Sequence, residues 1–498
     1  MREETGPSDV PVALASGTVG GIAPPSVGAP VAVPEPRRRV RRRLPGLDLT
    51  LGPRAGAVAI GILLAGTLAI VADAAAGPSI LVPHTAQNFS GWEAGPLHLL
   101  LNWSIGNPRT VGYAFSVVLL VMIIAYLAVL AAARSLSMRV IAGAVVALHL
   151  ILLLTPPMQL TDIFNYLGYA RLGALHHLNP YRHVIDQEMF DPVYGYATWH
   201  NLSSPYGPLF TALTYPLAFV SVPIAYWAIK VGTILSSLAF LAVVWQCARQ
   251  LGRDPRFVVA FVALNPIFLI YEVGAFHNDF FMLLPMMGAI SLVLARHDRS
   301  AGALLMLGVA VKFTAIVLLP FLLLAALTRP RRVQLLIGAA AGTVVMAALS
   351  ISLFGLSLPN LSDQSTLLTG TSISNLVGLI LHVGGATPLL LKLLDVGVVA
   401  VVAHQFLRNR DWMAGTGWAT VALIASLSWL MPWYVVWLLP IAALVSGRRL
   451  RVVSIALTIY LILAFMNWTS YYFTDNGVNL LNTHAGRASA SLQNKLAN

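Results

Sequence analysis

Long apolar runs separated by short, arginine-bearing turns recur along most of this 498-residue chain. Hydrophobic residues make up 57% of the sequence and charged residues only 10%, whereas soluble domains carry about 25% charged residues. A helix that crosses a bilayer needs ~20 consecutive apolar residues. The pattern therefore predicts an all-α, polytopic integral membrane protein.

The formal net charge of +12 is distributed in a way that indicates membrane orientation rather than a nucleic-acid surface. Basic residues cluster in the N-terminal arm, with six arginines between positions 37 and 43, and in the turns between apolar runs. Such clusters remain on the cytoplasmic side of a membrane. The single cysteine, Cys247, excludes an intramolecular disulfide and a cysteine-based zinc cluster.

Composition divides the chain into three parts. We expect residues 1–54 to be a disordered, basic, cytoplasmic tail, because they are rich in proline, glycine, valine and alanine. The first apolar run begins near residue 55, too late for a cleavable signal peptide. Residues 55–472 are predicted to form the transmembrane domain, and residues 473–498 a polar tail on the outer face.

Placing every arginine cluster in the cytoplasm gives about thirteen spanning helices and a cytoplasmic N-terminus. The longest polar stretch, residues 159–207, then lies outside the cell membrane as a loop. Residues 208–222 are too short and proline-rich to span comfortably, so we expect an amphipathic helix along the outer surface. A second amphipathic stretch is predicted at 371–383.

The outer loop begins with a predicted helix over residues 161–173. On a 3.6-residue period one face of this helix carries polar groups and a small gap, namely Asp162, Tyr166, Tyr169, Gly173 and His176. The chain has only 19 acidic residues, and an ionisable group beside hydrocarbon is a candidate functional site. Asp162 is therefore a candidate catalytic carboxylate, although an aspartate there also suits a helix N-cap.

A second polar group, His277-Asn278-Asp279, ends a later apolar run on the same outer face. Asn278 or Asp279 has an alternative role as the cap of the following span. The histidine spacings do not match a helical two-histidine metal site. The sequence therefore indicates no metal ligands and leaves a divalent-metal requirement open.

Lys312 is a cation inside a pair of short apolar segments, residues 301–327. It lies about 18 Å along a helix from the cytoplasmic turn, at 1.5 Å per residue. An ammonium at that depth needs an anionic partner. Either Asp279 or the phosphate of a ligand fits, and Arg171 and Arg182 in the outer loop are candidates to support the same anion.

Aromatic residues complete the set of candidates. The run Ser204–Pro208 predicts a rigid turn that can bring Tyr206 to a polar cleft, and Tyr181 lies shortly before it. Trp433 and Tyr434 suit either an interfacial belt or stacking on a sugar or lipid chain.

Together these features resemble the GT-C superfamily of polytopic glycosyltransferases over about residues 110–470. The motifs, in chain order, are Asp162 after a span, Leu178-Asn179-Pro180-Tyr181, Ser204-Pro205-Tyr206-Gly207-Pro208, Asp279 at a later outer turn, Val311-Lys312-Phe313-Thr314 before a run ending in Pro320, and Pro432-Trp433-Tyr434-Val435-Val436-Trp437. Within the superfamily the chain is similar to actinobacterial polyprenyl-phosphomannose-dependent α-1,6-mannosyltransferases of lipomannan assembly. One departure is that Ile163 follows Asp162, where many members carry paired acids.

The resemblance implies an inverting transferase in the plasma membrane that moves a sugar, mannose in the nearest group, from a polyprenyl-phosphate donor to a lipid-anchored or growing cell-envelope glycan. Asp162 is the expected base. The expected phosphate ligands are Lys312, His277, Arg171 and Arg182. The expected substrate-binding residues are Asp279, Asn278, Tyr166, Tyr169, Tyr181, Tyr206, Trp433 and Tyr434.

We expect membrane lipids as partners, no cofactor and no nucleic acid. A pentose donor such as polyprenyl-phosphoarabinose, an oligosaccharide polymerase or ligase, and a lipid or oligosaccharide flippase stay open as alternatives. The flippase is disfavoured, since transporters usually carry internal repeats and we find none in the sequence.

Overall fold

A computed structural model of the chain describes residues 50–83, 89–101, 106–159, 162–408 and 411–497, with the side chains of Asp363 and Gln364 excepted. Most of the predicted N-terminal tail, residues 1–49, and the predicted first residue of the outer-loop helix, Thr161, lie outside the described residues.

The described residues form helices and no strand, which confirms the all-α prediction. The α-helices are α1 (Pro53–Ala76), α2 (Pro96–Leu100), α3 (Pro108–Ala132), α4 (Met138–Leu153), α5 (Asp162–Ala174), α6 (Pro208–Thr214), α7 (Val222–Gln250), α8 (Pro255–Ala263), α9 (Asp279–Leu294), α10 (Asp298–Val311), α11 (Leu319–Ala325), α12 (Arg329–Phe354), α13 (Ser362–Thr366), α14 (Ile373–Ile380), α15 (Pro388–Arg408), α16 (Trp412–Ser426), α17 (Leu439–Leu444), α18 (Arg448–Phe465), α19 (Asn467–Asp475) and α20 (His484–Ala497). Short 3₁₀ segments cover Ile185–Glu188, Tyr194–Tyr196, Tyr215–Phe219, Phe313–Leu318 and Pro432–Trp437, and a π-helix covers Phe268–Val273.

Five helices are long and apolar enough to cross a membrane, namely α1, α3, α7, α12 and α15. A sixth crossing forms if α18 and α19, which meet at 51°, count as one bent span. Shorter apolar helices lie between them. The protein is therefore a polytopic membrane protein, and the number of about thirteen spans stays a prediction.

Several helices break where the predicted site residues lie. After α8 the chain passes through Pro266 into the π-helix Phe268–Val273, and α10 ends one residue before Lys312. Trp433 lies in the 3₁₀ segment Pro432–Trp437 that precedes α17. Irregular backbone at membrane depth is tolerated only where protein buries it or where it lines a polar cavity. The breaks therefore mark the part of the molecule where a site can form.

The helix that delivers Lys312, α10, is fixed by a backbone-close crossing with α12. A side chain on Gly302 would collide with the Leu335 carbonyl, and one on Gly338 would collide with the Arg299 carbonyl. Small residues allow this approach between membrane helices. Arg331 also pairs with Asp298 at 2.7 Å at the start of α10. The end of α10 is consequently held at a defined position.

The helices predicted in the outer loop and in the two amphipathic stretches are present, with boundaries that differ from the predicted ones. The helix predicted over 161–173 is α5, Asp162–Ala174. The surface helix predicted over 208–222 is the short α6 followed by a 3₁₀ turn, Tyr215–Phe219. The amphipathic stretch at 371–383 contains α14.

Candidate active site

Asp162, at the start of α5, and His277, in the segment between the π-helix and α9, face each other. Asp162 is the first residue of α5, and 16% of its side chain is exposed. The Nδ1 atom of His277 lies 3.5 Å from its Oδ2. The His277 ring stacks on Trp433 with 3.9 Å between ring centres, and its Nε2 has no hydrogen-bond partner within the described residues. The pair places an accessible carboxylate in front of a buried imidazole.

Lys312 and Asp279 form a second pair. The Nζ atom of Lys312 donates to both Asp279 carboxylate oxygens, at 2.8 and 2.9 Å. The indole Nε1 of Trp437 donates to Oδ1 of the same carboxylate at 2.6 Å. Asp279 is fully buried, while 23% of the Lys312 side chain is exposed. Of the two anionic partners predicted for Lys312, the structure contains Asp279.

Tyr166 connects the two pairs. Its hydroxyl oxygen accepts a hydrogen bond of 3.3 Å from the backbone N–H of Asn278, which stands between His277 and Asp279. The Tyr166 ring packs edge-on against Tyr206, with 4.8 Å between ring centres. The structure thus brings together the predicted residues of α5 and of the segment before α9.

Two other predicted tyrosines use their hydroxyls to hold the outer loop. The Tyr169 hydroxyl donates to the Leu202 carbonyl at 2.8 Å. The Tyr181 hydroxyl donates to the Tyr206 carbonyl at 3.0 Å. These bonds fix the position of the Ser204–Pro208 turn above the site.

Arg171 lies at the other end of α5, about 13 Å along the helix from Asp162 at 1.5 Å per residue. Its Nε donates to both oxygens of Asp191, at 2.8 and 3.0 Å, and His176 contacts the same carboxylate at 2.8 Å. Burial raises the pKa of Asp191, but hydrogen bonds from Arg171, His176 and the Val193 N–H outweigh it and hold that pKa below its ordinary value.

Neither predicted arginine contacts Lys312 or Asp279 in the described contacts. Arg171 is engaged by Asp191 and by the Ala218 carbonyl at 3.1 Å. The Arg182 side chain is exposed. The placement favours a structural role for Arg171, and the phosphate-binding role of both residues stays a prediction.

Sequence reasoning missed several buried polar groups next to the site. Lys230 on α7 is fully buried, as is Glu272 in the π-helix. Both Glu272 carboxylate oxygens lack a hydrogen-bond partner among the described residues. Trp437, the last residue of the Pro432–Trp437 motif, was not among the predicted site residues. The available signal was the same for both charged residues, a lone ionisable group inside an apolar run.

An apolar groove opens beside Trp437. It runs between α9, the segment after Lys312, α16 and α17, and its lining includes Met282, Met286, Thr314, Leu318 and Leu423. In the described part of the chain, no group of three or more histidine, cysteine, aspartate or glutamate residues is arranged to hold a metal ion. We therefore assign no metal-binding residues.

Comparison with known families identifies the class of protein. The model of glycosyltransferase family 87 matches residues 205–465. The chain is a membrane-embedded glycosyltransferase of the GT-C type, acting as a hexosyltransferase. A second family model, alpha-(1->6)-mannopyranosyltransferase, N-terminal domain, matches residues 62–328, which is more than half of the chain. The chain belongs to the alpha-(1->6)-mannopyranosyltransferase family.

Individual relatives confirm the resemblance to actinobacterial mannosyltransferases. The chain is 26% identical over 368 residues to alpha-(1->6)-mannopyranosyltransferase A of Mycobacterium tuberculosis, covering 66% of this chain and 68% of that protein. It is 25% identical over 348 residues to alpha-(1->6)-mannopyranosyltransferase B of Corynebacterium glutamicum, covering 59% of this chain and 56% of that protein. The match therefore spans about two thirds of the first relative and little more than half of the second. No solved structure matches the chain significantly.

Proposed function

We propose that the chain transfers mannose, with inversion, from a polyprenyl-phosphate-linked donor to a lipid-anchored or growing glycan at the outer face of the plasma membrane. One observation carries the proposal, namely that His277, which contacts the accessible carboxylate of Asp162, is separated by a single residue from Asp279, the partner of Lys312. The names of the relatives support mannose as the sugar and an α-(1→6) linkage.

Asp162 acts as the general base. The acceptor hydroxyl attacks the anomeric carbon while the bond from that carbon to the phosphate oxygen breaks, and Asp162 takes the hydroxyl proton. Its partial exposure lets a glycan reach the carboxylate. Attack from the face opposite the phosphate inverts the anomeric centre, so a β-linked donor yields an α-mannoside.

Lys312 stabilises the leaving phosphate. Both Asp279 oxygens accept from its ammonium, which orients the group and leaves donor capacity for a ligand. A cation that is already fixed in place lowers the barrier most, since the phosphate gains negative charge as the bond breaks. The Nε2 atom of His277 has no hydrogen-bond partner among the described residues, which supports a second contact to the phosphate there.

The lipid chain of the donor belongs in the apolar groove. Trp437 lines the groove and also donates to Asp279, so the groove begins at the phosphate position proposed here. The predicted orientation, with the arginine clusters and the N-terminus in the cytoplasm, opens this site to the outer face.

Sugar transfer into membranes that contain wild type or Asp162→Asn tests the proposal. Asparagine keeps the size and capping ability of aspartate but accepts no proton. We expect transfer from polyprenyl-phosphomannose to fall by about 10²–10⁴-fold. Lys392→Met, on the exposed side of α15, is the control and should leave transfer unchanged.

Two results would contradict the proposal. Unchanged transfer by Asp162→Asn would remove Asp162 as the base. Transfer by wild type from polyprenyl-phosphoarabinose, with none from the mannose donor, would replace mannose with a pentose.

A further inference from the structure

Lys230 is a buried cation enclosed by aromatic rings. It lies on α7 with no exposed surface. Its Nζ atom is 3.9 Å from the ring centre of Trp227, 4.8 Å from that of Tyr226 and 4.9 Å from that of Phe276. Rings at these distances stabilise an ammonium through their negative faces. Burying a charged side chain within a membrane domain costs free energy, so the presence of Lys230 at this position indicates a functional role.

The Lys230 ammonium holds the segment that leads to Asp162. Nζ donates to the Thr155 carbonyl at 2.8 Å and to the Glu93 carbonyl at 3.3 Å. Thr155 follows α4 and precedes Pro156-Pro157, so its carbonyl has no helical N–H to pair with further along the chain. Glu93, the other carbonyl partner, is also fully buried.

The same ammonium holds the segment that leads to His277. Phe276, directly before His277, is fully buried and has a φ of +56°. A bulky residue rarely adopts this conformation, and it persists only where its surroundings enforce it. The Phe276 ring lies against Lys230, which supplies part of that enforcement.

The two segments are also tied to each other. The Met158 N–H donates to the Gly274 carbonyl at 3.1 Å. Gln159, three residues before Asp162, is the second non-glycine residue here with a positive φ, +71°. Each of the two segments next to the Asp162–His277 contact therefore contains an unusual backbone conformation. One backbone hydrogen bond and the contacts of Lys230 hold the two segments together.

We propose that Lys230 is a positioning residue that sets the distance between Asp162 and His277 by anchoring both segments. It does not touch substrate and acts through the Thr155 carbonyl and the Phe276 ring. This inference rests on the proposed function for its kinetic consequence, whereas its geometric consequence is independent of activity.

Lys230→Met tests the kinetic consequence. Methionine keeps an unbranched apolar stem for the aromatic enclosure and loses the ammonium that donates to the Thr155 and Glu93 carbonyls. We expect kcat for mannosyl transfer to fall about ten- to hundred-fold per folded molecule, because small displacements of reacting groups are costly. The KM for the donor should change much less than kcat, since Lys312, the main phosphate ligand proposed, is separate from this anchor. Lys392→Met is the matched control and should retain wild-type kcat and KM.

Cross-linking tests the geometric consequence without catalysis. In a Cys247→Ala background the substitutions Asp162→Cys and His277→Cys provide the only two thiols of the chain. A short bifunctional thiol reagent should link them efficiently when Lys230 is present. Adding Lys230→Met should abolish most of the linkage, and adding Lys392→Met should not.

Phe276→Leu is the second variant, for use if Lys230→Met does not insert stably. It keeps an apolar side chain and removes the ring that contacts the ammonium, and it should reduce both kcat and cross-linking in the same direction. Undiminished cross-linking in Lys230→Met, or in Phe276→Leu where the first variant fails, would overturn the inference. Absence of mannosyl transfer by the wild type would contradict the proposed function alone, with the cross-linking result still deciding on Lys230.

Discussion

In the Lys312–Asp279 pair, each side chain compensates the charge of the other at a buried position. Removal of one partner leaves the other charge uncompensated at a buried site, which costs about 3–5 kcal/mol. We expect Lys312→Met to lower the melting temperature of the protein in detergent and to abolish transfer. The double variant Lys312→Met/Asp279→Leu should recover most of the stability and none of the transfer. Strictly additive losses in the two single variants and the double variant would show that the pair is not coupled.

Asp191 gives the outer loop a defined acid sensitivity. Its folded-state pKa lies below the ordinary value of 3.8 because Arg171, His176 and the Val193 N–H bind the carboxylate. A lowered pKa contributes stability above the ordinary value, and that contribution is lost as the pH falls through the folded-state pKa. We expect α5 to stay protected from hydrogen exchange from pH 7 to about pH 4, after correction for intrinsic rates, and to open at lower pH.

The control for this prediction is Asp191→Asn. It should weaken the protection of α5 at neutral pH and reduce the acid-dependent change. Glu188, which lies 3.2 Å from the other nitrogen of His176, is held constant in the comparison. An unchanged acid response in Asp191→Asn would assign the effect to Glu188 instead.

At the scale of elements, the Ser204–Pro208 turn is packed against the end of α10. The Gly207 N–H donates to the Val311 carbonyl at 3.0 Å, and a side chain on Gly207 would collide with the Ala310 carbonyl. Gly207→Ala should therefore destabilise the protein by about 1–3 kcal/mol and raise the donor KM, because the backbone next to Lys312 must shift. Gly61→Ala, where no atom lies within 4 Å of the added carbon, is the control and should not lower the melting temperature.

The elements differ in how far sequence alone predicts them. The helix of the outer loop was predicted within one residue at each end, because a polar stripe and an N-terminal aspartate define it. The break at Lys312 was predicted from the pair of short apolar segments over residues 301–327, and α10 ends at Val311. The break after α8 was not predicted, since the apolar composition continues across it. The contacts of Lys230 were missed for the same reason, because its partners are backbone carbonyls and rings from three distant segments. Long-range partners of a buried charge leave no local pattern.

At the scale of the whole molecule, the arginine distribution predicts the orientation in the membrane. A reporter phosphatase that needs disulfides, and hence an oxidising exterior, should be active when fused after Asn201 in the outer loop. The same reporter fused after Arg253, in the turn between α7 and α8, should be inactive. The opposite activities would reverse the orientation and move the candidate site to the cytoplasmic face.

Most of the predicted site residues lie close together in the folded chain, although 272 positions separate Asp162 from Tyr434 in the sequence. Common sidedness in the topology explains why Asp162, His277 and Asp279 were expected to be neighbours. The sequence could not predict which of the cations lies next to these residues, because that depends on distances in the folded chain. Lys312 lies in the cluster, whereas Arg171 pairs with Asp191.

The position of Trp437, between the apolar groove and the Lys312–Asp279 pair, has a consequence for turnover. Trp437 belongs to both, so a lipid that fills the groove also presents its head group to the lysine. Once mannose has left, the spent carrier lipid still has its chain and its phosphate, and with them every contact of the donor except those to the sugar. We therefore expect accumulated carrier to compete with fresh donor for the proposed site.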